Sequence, residues 1–263
     1  KSSLRFVKAA FQSARMTDCC ITNSEFENEV MRSTYWPDTK LLEYGHARND
    51  IFFDGYAEKR RQIRKDFLQQ HNLPEDCKLL LYAPTFRDDD GFDAYGIDVE
   101  AVMDALRQRF GGQWYLMLRY HPVYRKIYAR NNIINGSNVI DVTLYPDMQE
   151  ILTLADAGIT DYSSWILDYV LQRKPGFLYA SDIARYNKER GFYYPLTESP
   201  FPLAENNEQL IRNILEFNEE EYKEKVEQFL IGKGCVENGT ASKKTVDYML
   251  SLMNISEMKQ ADK

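Results

Sequence analysis

At 263 residues the chain has room for one large or two smaller domains around a sizeable core, and 44% hydrophobic with 28% charged residues is an ordinary globular composition. A formal net charge of -7 argues against nonspecific nucleic-acid binding, so any phosphate affinity must be local. No stretch reaches the roughly 20 apolar residues that span a bilayer and no signal-peptide pattern opens the chain, which points to the cytosol; Cys19, Cys20, Cys77 and Cys235 lack metal-ligand spacing and read as reduced thiols.

The chain opens at Lys1 without Met, as a fragment of a longer protein would. Residues 1 to 15 set Lys1, Arg5, Lys8 and Arg15 around Leu4, Phe6, Val7 and Phe11, an amphipathic pattern that reads either as a solvated surface helix or as a peripheral contact for an anionic membrane. Asp18 to Thr22 predicts a short strand, and Ser24 with Glu27 forms a capping box ahead of a helix to about Ser33. Leu41 to Tyr44 predicts another strand. The cluster Gly45-His46-Ala47-Arg48-Asn49-Asp50 is either a structural turn, since Gly and Asn accept unusual backbone angles, or part of a site. Tyr56 to Gln70 is a charged helix.

Next comes Leu79 to Ala83, an apolar run that stops at Pro84 and leads into Thr85, Phe86 and Arg87. Val99 to Phe110 predicts a helix closed by Gly111-Gly112, and Trp114 to Leu118 a strand that leads into Arg119, Tyr120, His121 and Pro122. Val139 to Val142 adds a strand. Asp147 and Glu150 form a second capping box ahead of Met148, Ile151, Leu152 and Ala155 at helical spacing. Ala157 to Thr160 then reads as a buried strand, closed by the polar turn Asp161-Tyr162-Ser163-Ser164 before another helix. Unpaired amides and two hydroxyls at such a turn suit an anion. Gly176 to Tyr179 is a strand after Arg173-Lys174-Pro175, and beyond residue 205 the helices are Glu205 to Phe217, Glu219 to Leu230 and Ala241 to Met253.

Alternating strands and helices predict a doubly wound parallel α/β sheet, whose ligands collect beyond the carboxyl ends of the strands. Three strands then deliver Thr85 and Arg87, Arg119 and His121, and Asp161 with Ser163 and Ser164 to one edge, a pocket for a diphosphate. Each residue also has a plain reading. His121 either carries a proton or packs before Pro122, Asp161 either holds a ribose hydroxyl or caps the turn, and Arg87 either meets phosphate or pairs with Asp88, Asp89 and Asp90.

The ordered pieces Gly45 to Asp50, Leu81 to Asp89, Arg119-Tyr120-His121, Asp147 to Asp156, Ile159 to Ser164, Asp168, Lys174-Pro175, Asp182 with Tyr186, Gly191-Phe192-Tyr193 and Asn238 to Ser242 resemble the CDP-glycerol glycerophosphotransferase family, which polymerises teichoic-acid and capsule backbones. The resemblance implies a GT-B-like architecture of two Rossmann-like domains. Residues 1–54 would be the tail of the acceptor-side domain, and 55–263 the donor nucleotide-binding domain with its C-terminal helices. It implies transfer of a polyol phosphate from a CDP-alditol to a hydroxyl of a polymer or lipid-linked acceptor, with CMP released at the inner face of the cell membrane and with no metal or other cofactor. Donor contacts would come from Thr85, Arg87, Arg119, Asp161, Ser163, Ser164, Arg48, Asn49 and Asp182, and His121 would be catalytic. The family's upstream His-Gly motif has no match here, so one open reading is a noncatalytic nucleotide-binding half. Another is a GT-B glycosyltransferase that uses a UDP- or GDP-sugar.

Overall fold

The computed structural model describes residues 4–34, 36–85, 96–120 and 137–261, with side chains from residue 8 to 253. It divides into two compact units, one of Lys1–Ala57 with Leu230–Lys263 and the other of Glu58–Phe229.

The second unit is built on a six-stranded sheet in the order β5-β4-β3-β6-β7-β8. The strands are β3 (Lys78–Tyr82), β4 (Trp114–Leu118), β5 (Val139–Asp141), β6 (Ala157–Thr160), β7 (Gly176–Tyr179) and β8 (Leu203–Ala204), and every pairing is parallel. The uninterrupted apolar runs follow from burial on both faces, with Leu79, Leu80 and Leu81 at most 1% exposed. Helices α3 (Ala57–Gln70), α4 (Val99–Phe110), α5 (Met148–Leu154), α6 (Trp165–Tyr169), α7 (Ile183–Glu189) and α8 (Asn207–Leu215) alternate with these strands. Asp147 caps α5 as its spacing predicts, accepting from the amides of Gln149 and Glu150. The Glu150 carboxylate instead takes the Tyr145 hydroxyl at 2.8 Å. Neither β8 nor α7 is expected from sequence: a two-residue strand carries no periodicity, and α7 has no buried stripe.

The amino-terminal edge of the sheet is held by two cations. Arg64 donates to the carbonyls of Leu154 (3.0 Å) and Cys77 (2.6 Å) and pairs with Asp156 at 3.2 Å. Lys174 donates to the carbonyls of Thr153 and Ala155 at 2.9 and 2.8 Å, and burial pulls its pKa down to about 8. Both serve the last carbonyls of α5, which have no partners within the helix, so the Lys174-Pro175 motif is a helix-end clamp.

Gly158 lets α6 lie close on β6, since an added Cβ would sit 3.0 Å from the Trp165 ring and 3.3 Å from Tyr169. Gly158→Ala is expected to lower stability by about 1–2 kcal/mol, as overpacking of a filled core does, and a shift in the denaturant midpoint at constant slope measures it.

In the first unit, α1 (Leu4–Arg15) precedes β1 (Cys19–Thr22), which pairs in parallel with β2 (Lys40–Glu43) through the connecting helix α2 (Glu25–Thr34). The predicted capping box forms: Ser24 Oγ accepts from the Glu27 amide at 3.1 Å, and Glu27 accepts from the Asn23 amide at 2.7 Å. Burial pushes the Glu27 carboxyl up, but hydrogen bonds from His46 and the Asn23 amide, with the charges of His46 and Arg48, hold it below the usual range. Helix α9 (Glu219–Gly232) crosses the boundary between the units in sequence, and α10 (Ala241–Ala261) closes the chain.

The sequence-based division put all of 55–263 in one domain, whereas residues 230–263 cluster with the amino-terminal unit. The reason is a junction between two motifs far apart in sequence. Asp50, 2% exposed, accepts from the amides of Ala241 (2.9 Å) and Ser242 (2.7 Å), and Glu237 takes the His46 amide at 3.0 Å and the Asn49 side chain at 2.9 Å.

Candidate functional site

Strand order reverses between β3 and β6: from β3 the chain builds outward through β4 and β5, and from β6 through β7 and β8. Such a switch point opens a crevice beyond the carboxyl ends of its two strands. Here the two exits are laced together by Asp161, which is 4% exposed. Its Oδ1 accepts from the Thr85 amide (2.8 Å), the Thr85 hydroxyl (2.6 Å) and the Tyr162 amide (2.6 Å). One layer below, the Ala83 carbonyl accepts from the Thr160 hydroxyl at 2.8 Å and the Trp165 indole at 2.9 Å. Asp161 is therefore a tether that shapes the crevice, and Thr85 is its partner.

Ser163 is half-buried and Ser164 exposed at the mouth. Ser164 has helical backbone angles and caps nothing with its side chain. Among the described residues, neither the hydroxyls nor the amides of these two serines find an acceptor, although the Ser163 and Ser164 carbonyls already accept from Ile166 (3.4 Å) and Leu167 (3.0 Å). Four donors thus stand together at the switch point, an arrangement suited to an anion.

Asp182, in the segment between β7 and α7, accepts from the Tyr162 hydroxyl at 2.8 Å, and Tyr162 stacks on Tyr186 with ring centroids 3.8 Å apart. The sequence reading gave Tyr162 no role. The signal that would have found it is a pairing across 20 residues, which one sequence does not display.

Arg119 follows β4 as expected, and its side-chain bonds among the described residues run away from the serines. Its Nη1 donates to the carbonyls of Val142 (2.9 Å) and Tyr145 (2.8 Å), in the segment after β5, on the far side of β4 from the switch point. Burial lowers its pKa against the pull of Asp147, and its two bonds to carbonyls tie the guanidinium to the turn beyond β5. Arg48 is exposed and Asn49 fully buried in the other unit, where Asn49 serves the Glu237 junction. Arg87 and His121 lie outside the described residues. Among the described residues no group of three or more His, Cys, Asp and Glu is placed to hold a metal ion, and no helix is long and apolar enough to cross a membrane.

A family model described as CDP-Glycerol:Poly(glycerophosphate) glycerophosphotransferase matches residues 3–251. The chain is 33% identical over 242 residues to a Teichoic acid poly(glycerol phosphate) polymerase of Staphylococcus epidermidis, covering 86% of this chain and 32% of that protein. It is 32% identical over 212 residues to a Teichoic acid glycerol-phosphate transferase of Staphylococcus aureus, covering 78% and 53% respectively. A solved structure of the Wall Teichoic Acid Polymerase TagF, a His-to-Asn variant with CDPG, matches with a TM-score of 0.77 at 28% identity over 100% of this chain and 63% of that one. The chain spans about a third to a half of the length of these two curated relatives. Its fold is the α/β, GT-B-like one shared with TagF. With a match that runs almost end to end, the chain belongs to the CDP-glycerol:poly(glycerophosphate) glycerophosphotransferase family.

Proposed function

We propose that the chain takes part in moving a polyol phosphate, glycerol phosphate or similar, from a CDP-alditol to a hydroxyl of a teichoic-acid or capsule-type acceptor. The acceptor oxygen attacks the phosphorus that carries the alditol, the bond from that phosphorus to the CMP oxygen breaks, and the hydroxyl proton passes to a base. Ser163 and Ser164 supply donors to the diphosphate, on which negative charge grows as CMP departs. Thr85 and Asp161 hold the crevice open at the right width, and Arg119 fixes its flank through the turn after β5. Arg87 and His121, which follow β3 and β4 in sequence, are assigned further charge neutralisation and the proton transfer. Charge neutralisation is given to protein groups and not to a metal.

The observation that carries this reading is the pair Ser163 and Ser164 at the switch point, whose hydroxyls and amides find no acceptor among the described residues, in a chain whose family is named for CDP-glycerol. The proposed place of action is the inner face of the cell membrane. Phe11 and Met16, 65% and 78% exposed beside Lys8 and Arg15, support peripheral contact with an anionic surface.

Calorimetry with a panel of CDP-glycerol, CDP-ribitol, UDP-sugars and GDP-sugars tests the donor. A CDP-alditol is expected to bind best, and Ser163→Ala with Ser164→Ala to weaken it by about 2 kcal/mol, roughly 30-fold, through loss of two hydroxyl donors to an ionised group. Preference for a UDP- or GDP-sugar would transfer the chain to the glycosyltransferase reading. Unchanged affinity in the double variant would remove the turn from the site.

A further inference from the structure

The serine turn is fastened to the segment that follows β7, and we infer that Tyr162 is a positioning residue that aims the Ser163 and Ser164 donors, with Asp182 as its partner. This rests on the donor-site reading above and deepens it.

Asp182 occupies the N-cap position of α7, where an aspartate ordinarily accepts from amides of its own helix. It makes no such bond. Its carboxylate, 16% exposed, instead accepts the Tyr162 hydroxyl on Oδ1 at 2.8 Å and faces Arg185 at 3.4 Å from Oδ2. The Tyr162 ring lies on Tyr186 at 3.8 Å and 21°, and Phe192 closes the cluster with its centroid 5.6 Å from both rings. The Tyr162 amide donates to Asp161 at 2.6 Å. Tyr162 is thus held at its backbone by the switch-point carboxylate, at its ring by the 186–192 segment and at its hydroxyl by Asp182.

Ser163 is the next residue and its hydroxyl has no tether of its own among the described residues, so with the peptide planar only the ψ of Tyr162 and the φ of Ser163 separate its backbone from the tethered residue. Donors already pointing at the anion spare the ligand the ordering cost of arranging them, and that is where a positioning residue acts.

Tyr162→Phe removes the hydroxyl and keeps the stack. In the full chain it is expected to reduce the backbone NMR order of the Ser163 and Ser164 amides and to weaken CDP-alditol binding about 5- to 10-fold, with the unfolding midpoint nearly unchanged. Asp182→Asn retains a carbonyl acceptor and is expected to behave as wild type. Asp182→Ala should match Tyr162→Phe, and the double variant should be no worse than either single one, as one shared bond requires. Unaltered order at Ser163 and Ser164 in Tyr162→Phe, or additive losses in the double variant, would overturn the inference. Inorganic pyrophosphate serves as a probe independent of the nucleotide. If neither it nor any CDP-alditol binds the wild type while Tyr162→Phe still loosens the turn, the donor reading fails and the positioning of the turn by Tyr162 stands.

Discussion

Asp161→Ala is expected to destabilise the Glu58–Phe229 unit by about 4 kcal/mol and to abolish nucleotide binding at the same time. The carboxylate is 4% exposed, and a single oxygen collects two amides and a hydroxyl. Alanine would leave all three donors without that acceptor, and each buried unsatisfied group costs about 1–3 kcal/mol, partly relieved if water enters. The strand exits would also lose the link that fixes their separation. Asp161→Asn keeps one carbonyl acceptor at lower charge and is expected to lose about half as much. A double-mutant cycle with Thr85→Ala, read by urea denaturation, should give a coupling above about 1 kcal/mol, because alanine removes the Thr85 hydroxyl, the side-chain donor among the three, and keeps the amide. An Asp161→Ala protein within 1 kcal/mol of wild type would show that the lacing of β3 to β6 does not depend on this residue.

The parts of the fold that were legible in the sequence are those where one physical requirement acts on neighbouring residues. A parallel strand buried on both faces must be apolar throughout, so Leu79 to Leu81 and Ala157 to Thr160 declared themselves, and with them the shared edge that carries Thr85, Arg119 and Ser163. Helix caps are equally local, and Ser24 and Asp147 behave as their spacing says. Direction was not legible. An arginine after a strand looks the same whether it reaches for a phosphate or for carbonyls beyond the neighbouring strand, and Arg119 does the latter. Sequence alone leaves Asp161 between cap and ligand contact because its partners at Thr85 lie 76 residues away. Tyr162 with Asp182, and Asp50 with Ala241, are likewise contacts that chain topology creates and local pattern does not encode. The motifs Gly45 to Asp50 and Asn238 to Ser242 stood out as separate pieces, although they are two halves of one junction.

That junction is where a second large loss is expected. Asp50→Ala should lower the stability of the unit that holds α10 by about 3–4 kcal/mol. Asp50 is 2% exposed and spends both carboxylate oxygens on the amides that open α10, Ala241 at 2.9 Å and Ser242 at 2.7 Å, from a position 191 residues upstream of the first. Each hydrogen bond to a charged acceptor contributes about 1.5–3 kcal/mol, and a negative charge at a buried helix start adds up to about 2 kcal/mol through the dipole. Exposed caps are worth about 1 kcal/mol, so burial and the second oxygen separate this case from an ordinary one. Thr240, immediately before α10, gives its hydroxyl to Asn238 Oδ1, and at Gly239, with φ +79, an added Cβ would lie 2.6 Å from Phe53. Amide exchange should therefore report lost protection first along Ala241 to Tyr248, ahead of β1 and β2, since those amides depend on a cap that the sheet strands do not use. Asp50→Asn, which keeps one acceptor without the charge, is expected to retain more than half of the stability. Wild-type protection at Ala241 and Ser242 in Asp50→Ala would mean that α10 is held by packing alone.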